Sequence, residues 1–268
     1  MRYWTFAALL LAACEQQPMK PAAQSAAVGF DGAQVTDAAA RIAHGERISW
    51  ALGCRGCHRE KLEGGTFYER YASNLSRDLP NYSDAEIERV LRTGVPRDGR
   101  ELWGMPSELF QHLSAPDMTA LIADLRTPKP DGKPTQPPKP WEADAKEMIA
   151  NGELKTAKDT VLHDKALGPV DLGAEYALGR YITRVTCAEC HGPKLEGGKP
   201  GEPPNLVVAA GYTRAEFETL MTKGIAAGGR KLKNPLMGEV ARDRFTHFTP
   251  HERDALYAYL KARAEQPQ

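Results

Sequence analysis

Cys54, Cys57 and His58 stand together in GCRGCH, and Cys187, Cys190 and His191 in TCAECH. Each set offers two thiols and an imidazole on neighbouring positions. Thiolates and imidazoles are nucleophiles and metal ligands, so three chemistries come into question. A compact zinc ribbon places its two cysteine pairs roughly 15 to 20 residues apart, and these pairs are separated by half the chain. A thioredoxin-like redox pair belongs to a βαβ unit, and no run of strand alternation surrounds either motif. A disulfide across two residues is strained. C-x-x-C-H is also the attachment sequence of a c-type haem, whose two vinyl groups take the cysteine sulfurs while the adjacent histidine lies under the iron. On that reading Cys54, Cys57, Cys187 and Cys190 anchor two haem c groups, and His58 and His191 are proximal ligands.

A second axial ligand has several candidates among the seven methionines. Met1, Met19 and Met148 lie outside the repeated segments, and Met118 and Met221 fall within helical patterns that suit core packing. Met105, in LWGMPSELF, and Met237, in NPLMGEVAR, occupy matching loops and are the expected distal ligands. His112 and His247 also match between the halves, each as Phe-x-His. They form a rival pair, although a place just before a helix cap suits a surface role. His44, His163 and His251 have no counterparts and are expected at solvent. Met/His ligation closes both axial positions, raises the reduction potential and favours electron transfer.

Two copies of one helical unit must position these groups. NYSDAEIERVLRTGVPRDGREL corresponds to GYTRAEFETLMTKGIAAGGRKL, and FQHLSAPDMTALIADLR to FTHFTPHERDALYAYLK. The middle helix starts after Ser83 with Glu86, or Thr213 with Glu216, a capping-box spacing. The final helix repeats the device with Ser114 and Asp117, then Thr249 and Glu252. Leu121 and Leu125, and Leu256 and Leu260, fall on one helical face. The expected fold is all-α with long loops: domain 1 over 41–127 and domain 2 over 172–265. The segment 128–171 joins them, beginning with the Pro-rich TPKPDGKPTQPPKPW, which suits an extended linker, and holding a helix at EADAKEMIANGEL. Asn74-Leu75 and Asn205-Leu206 recur after the two motifs, with a structural role expected.

The start, MRYWTFAALLLAACEQQ, has one cation, a short apolar run and small residues before Cys14. This is the layout of a signal peptide over 1–13. Its Leu-Ala-Ala-Cys ending resembles a lipobox, so Cys14 is expected to carry lipid, with 14–40 as a flexible tether. Charges balance at 35 against 35, which gives no sign of nucleic-acid binding.

Taken together, GCRGCH, SNLS, YSDAEIERVLRTGVPRDGREL, GMP and LSAPDMTALIADLR resemble the class I cytochromes c, particularly the cytochrome subunits of membrane-bound bacterial alcohol and sugar dehydrogenases. CAECHG, PPNL, GGRKL, LM and FTPHERDALYAYLKAR extend the likeness to the second half. The resemblance implies two tandem class I domains with one covalent haem each, and iron bound by Met105 and Met237. The sequence departs from the family in lacking a third haem motif, and in having Asp124 where the second half has the aromatic Tyr259. The function that follows is a periplasmic, lipid-anchored dihaem electron carrier rather than an enzyme, passing electrons from a dehydrogenase or respiratory complex to a terminal acceptor. Lys223, Arg230, Lys231, Lys233, Arg242 and Arg244 flank Met237 and suit an acidic redox partner or a solvated loop. The alternative is a dihaem oxidoreductase of peroxidase or thiosulfate-oxidising type, which needs one exchangeable haem ligand.

Overall fold

The computed structural model describes residues 28–67, 70–198, 202–232 and 234–266. The expected signal peptide, Cys14, the first part of the tether and Lys233 lie outside the described residues. In chain order the helices are α1 (Ala38–Ala51), α2 (Cys54–His58), α3 (Leu75–Asp78), α4 (Asp84–Thr93), α5 (Ser107–Phe110), α6 (Ala115–Leu125), α7 (Ala143–Ala150), α8 (Ala157–Asp164), α9 (Ala177–Ile182), α10 (Ala188–His191), α11 (Arg214–Lys223), α12 (Leu236–Asp243) and α13 (Pro250–Ala264). Strands β1 (Gly65–Phe67) and β2 (Arg70–Ala72) form a small antiparallel hairpin with Gly65 opposite Ala72. The chain is mostly helical, as its periodicity indicates. Strands this short show no alternation that a sequence pattern could reveal.

The helix starts follow their capping residues. Ser83 and Glu86 close a full capping box on α4, Thr213 and Glu216 on α11, and Thr249 and Glu252 on α13. Ser114 caps α6 by accepting the Asp117 N–H, and its hydroxyl donates to the Asp117 carboxylate at 2.9 Å, but that carboxylate also bonds beyond the helix. It accepts the Phe30 N–H at 3.0 Å and the Tyr181 hydroxyl at 2.7 Å, and it lies 2.8 Å from His44 Nε2. His44 is therefore buried, contrary to its expected place at solvent, because a buried carboxylate provides its partner. His163 and His251 are exposed, as expected.

The core of each half is built on one helix crossing. A Cβ added to Gly45 of α1 would lie 2.0 Å from the Ala120 carbonyl oxygen of α6, and one on Gly179 of α9 would lie 2.2 Å from that of Ala255 in α13. Only glycine lets the two backbones approach so closely. One turn further along α13, Tyr259 is fully buried and its hydroxyl donates to the Val170 carbonyl at 2.8 Å. The corresponding Asp124 of α6 is buried instead against Arg55, whose Nη2 donates to both carboxylate oxygens at 2.9 Å. An ion pair thus replaces the aromatic residue in the first half.

Two stretches expected as connectors are packed. In the tether, Phe30 is 2% exposed, edge-on to Tyr181 at 5.5 Å and stacked with Phe248 at 6.2 Å. The Pro-rich stretch forms no helix or strand, but it folds back on the first half. Asn74 Nδ2 donates to the carbonyls of Asp131 and Lys133 at 2.7 Å each. Farther on, α8 packs against α5, and the Ala157 N–H donates to the Leu102 carbonyl at 2.8 Å. Proline removes donors but leaves carbonyls free, so a buried asparagine can hold such a segment.

Candidate functional site

The recurrence of KLEGG after both motifs has a geometric purpose. Leu62 and Leu195 are fully buried with φ of 60° and 63°. These left-handed positions are uncommon for residues bearing a Cβ. The next turn brings the Gly64 N–H to the His58 carbonyl and the Gly197 N–H to the His191 carbonyl, both at 2.9 Å. At Gly197, φ is +70° and a Cβ would lie 2.4 Å from the Pro204 carbonyl carbon. The loop thereby presses the following strand against the histidine ring.

His58 Nδ1 donates to the Ser73 carbonyl at 2.8 Å, and His191 Nδ1 to the Pro204 carbonyl at 2.7 Å. A carbonyl can only accept, so each Nδ1 carries the proton and each Nε2 keeps its lone pair. Burial also lowers the pKa of both rings, which keeps them neutral. A fixed tautomer with a free Nε2 is the arrangement metal-ligating histidines need.

In the first half, Cys54, Cys57, His58 and Met105 line one cleft. The cleft is partly open to solvent, and its walls include Leu79, Leu91 and Phe110. Two thiols on one helical turn, a neutral imidazole, a thioether and an apolar slot fit a c-type haem. In the second half His191 is buried, and Met237 is half-buried against the core. Met237 sits in the first turn of α12 rather than in the loop expected from its neighbours. Met118 and Met221 are core residues at 1% and 4% exposure. Of the rival histidines, His247 stacks on Trp50 at 5.3 Å and 8°, and burial with the nearby Arg184 charge lowers the His112 pKa to about 4.

Burial raises the pKa of the Cys54 thiol to about 12 and those of Cys57 and Cys187 to about 11, with Cys190 raised as well. Cys54 is buried, Cys57 and Cys187 are half-buried and Cys190 is exposed, and none has the lowered pKa of a redox-enzyme cysteine. Their flanks differ in one respect. In the first half, Gly53 takes φ of 82° and breaks the chain between α1 and α2. In the second, α9 runs through a π-helical turn at Thr183–Cys187 into α10.

The side chains that join the halves have no local signature in the sequence. Arg244, expected in a solvated basic loop, has a side chain only 13% exposed and pairs with Glu189 at 2.6 Å. Arg47 of α1 is 2.8 Å from Glu252 of α13, and its Nη1 donates to the His247 carbonyl at 3.0 Å. Lys223, Arg230, Lys231 and Arg242 are exposed, as expected.

Residues 176–264 match the family model described as Cytochrome c. Over 260 residues the chain is 25% identical to a "Diheme cytochrome c-type" protein of Cereibacter sphaeroides, covering 81% of this chain and 84% of that one. Over 108 residues it is 31% identical to a nicotinate dehydrogenase subunit of Pseudomonas putida, covering 34% of this chain and 9% of that protein. The chain thus corresponds to most of the first relative and to a small part of the second.

Proposed function

We propose that this chain, a class I cytochrome c, is a dihaem electron carrier, with one haem c in each half, held on the periplasmic side of a bacterial membrane by lipid on Cys14. The observation that carries the proposal is the matched pair of histidines, each with Nδ1 tied to a backbone carbonyl and Nε2 left free beside two cysteines. The likeness to a dihaem cytochrome supports two sites, and the likeness to part of a dehydrogenase supports a dehydrogenase as electron donor. The Leu-Ala-Ala-Cys ending of the leader supports the anchor.

When bound, haem c supplies an iron centre that changes charge by one electron. The chain's residues determine how that centre behaves. Cys54 with Cys57, and Cys187 with Cys190, would hold it covalently through thioether bonds. The Ser73 and Pro204 carbonyls orient the imidazoles and strengthen them as ligands. Met105 and Met237 would hold the iron through soft thioethers, which would leave no open position for a substrate. The apolar wall at Leu79, Leu91 and Phe110 would lower the polarity on that side of the cleft, which limits the reorganisation accompanying a change of charge.

Carbon monoxide added to the reduced protein tests this reading. A carrier with both methionines in place keeps its spectrum. Rapid adduct formation at one haem would instead identify an exchangeable position and a dihaem oxidoreductase.

A further inference from the structure

Arg244, the C-cap of α12, sends its guanidinium across to the first half. Its Nε donates to the Ala51 carbonyl at 3.2 Å, and its Nη1 donates to Glu189 at 2.6 Å. The first-half seat is specific. A Cβ on Gly53 would lie 2.7 Å from Arg244 Cζ, so the cation rests where a side chain immediately before Cys54 would stand. Its anion belongs to the other motif, since Glu189 lies between Cys187 and Cys190, yet Glu189 also lines the first-half cleft. Arg244 Nη2 is enclosed with no hydrogen-bond partner among the described residues, so protein contacts leave part of the buried charge unanswered.

We infer that the Arg244–Glu189 pair is a positioning and tuning element shared by both haem sites, in which the Arg244 cation raises the reduction potentials of both haems and Glu189 partly offsets it. The inference rests on the dihaem reading above. A one-electron reduction lowers the local positive charge by one, and a fixed cation in a poorly screened interior favours that change. A residue seated between the two motifs must act on both, whereas one belonging to a single pocket would act on one.

The test is a mediated spectroelectrochemical titration of the holoprotein, with the electrode as electron source, and haem content measured in parallel. Arg244→Gln is expected to lower each haem's reduction equilibrium constant by about tenfold, or about 59 mV for one electron. Glu189→Gln is expected to raise both, by less, because its side chain is 33% exposed. The double variant should return towards wild type, and Arg244→Lys should keep most of the potential. Should Arg244→Gln fail to fold, Glu189→Gln and Arg244→Lys carry the test. A purely structural role would shift Arg244→Gln and Glu189→Gln in the same direction. That result, a shift confined to one haem, or unchanged potentials in a protein with two haems overturns the inference alone. A wild-type protein with fewer than two haems overturns it together with the dihaem reading.

Discussion

Asp117 and Glu252, the third residues of the two final helices, hold consecutive residues of one turn: Asp117 accepts the Phe30 N–H at 3.0 Å and Glu252 the Asp31 N–H at 2.8 Å. Both carboxylates are fully buried. Residues 30 and 31 therefore join equivalent points of the two halves, and the segment that would lead from a membrane anchor also clasps the halves together.

Phe30→Ala should cost about 3 kcal/mol, the usual result of emptying a buried aromatic site. The loss should appear in chemical denaturation and as faster proteolytic cleavage between the halves. A stability within 0.5 kcal/mol of wild type, the roughly neutral range for a surface change, would show that the turn merely rests on the surface.

Asp124→Asn should destabilise the first half by about 3 to 5 kcal/mol, because it leaves the Arg55 charge buried without its partner. Replacing the pair with apolar residues, Arg55→Leu with Asp124→Phe, should recover most of that loss. Equal destabilisation in the single and double variants, measured by urea unfolding, would contradict this account of the helix crossing.

Much of this architecture is legible in the residues. The capping positions at Ser83, Thr213, Ser114 and Thr249 each begin a helix, because a short polar side chain followed by an acid is a local signal. The C-x-x-C-H motifs and the fit of Met105 to the first cleft are equally legible. His44 and Arg244 depart from expectation for one reason. Each is a polar residue whose partner is remote, and Arg244 reaches a carbonyl 193 positions away. Nothing in local periodicity distinguishes a cation buried by another domain from one in solvent. Met237 reads as a loop residue because it falls between the middle and final helices, whereas Pro235 just ahead of it is compatible with the start of α12.

Stability should also depend on pH through α5 and the turn after it. Burial, with the Asp164 and Glu189 charges, raises the Glu108 pKa to about 7. The folded state therefore favours the neutral acid, and its contribution, on the order of 2 kcal/mol, is lost as pH rises from about 4.5 through 7. Burial lowers the His112 pKa to about 4, so its neutral ring contributes above about 6.5 and that contribution is lost as pH falls through 4. Denaturation midpoints across this range should flatten on the alkaline side in Glu108→Gln and on the acid side in His112→Asn. An unchanged pH profile in both variants would refute the assignment.

Gly179→Ala should be more damaging than an ordinary helix substitution, since alanine's higher helix propensity cannot offset a Cβ placed 2.2 Å from a carbonyl oxygen. A cost above about 3 kcal/mol is expected for overpacking at this contact. A stabilised variant would show that α9 and α13 do not meet there.

The central claim is that each cysteine pair anchors its own haem. Intact mass of the protein made under haem-attaching conditions measures this directly, read together with the Cys54→Ser/Cys57→Ser and Cys187→Ser/Cys190→Ser variants. The account predicts two covalent haems on the wild type and one on each variant, and a wild-type chain carrying one haem or none would contradict it.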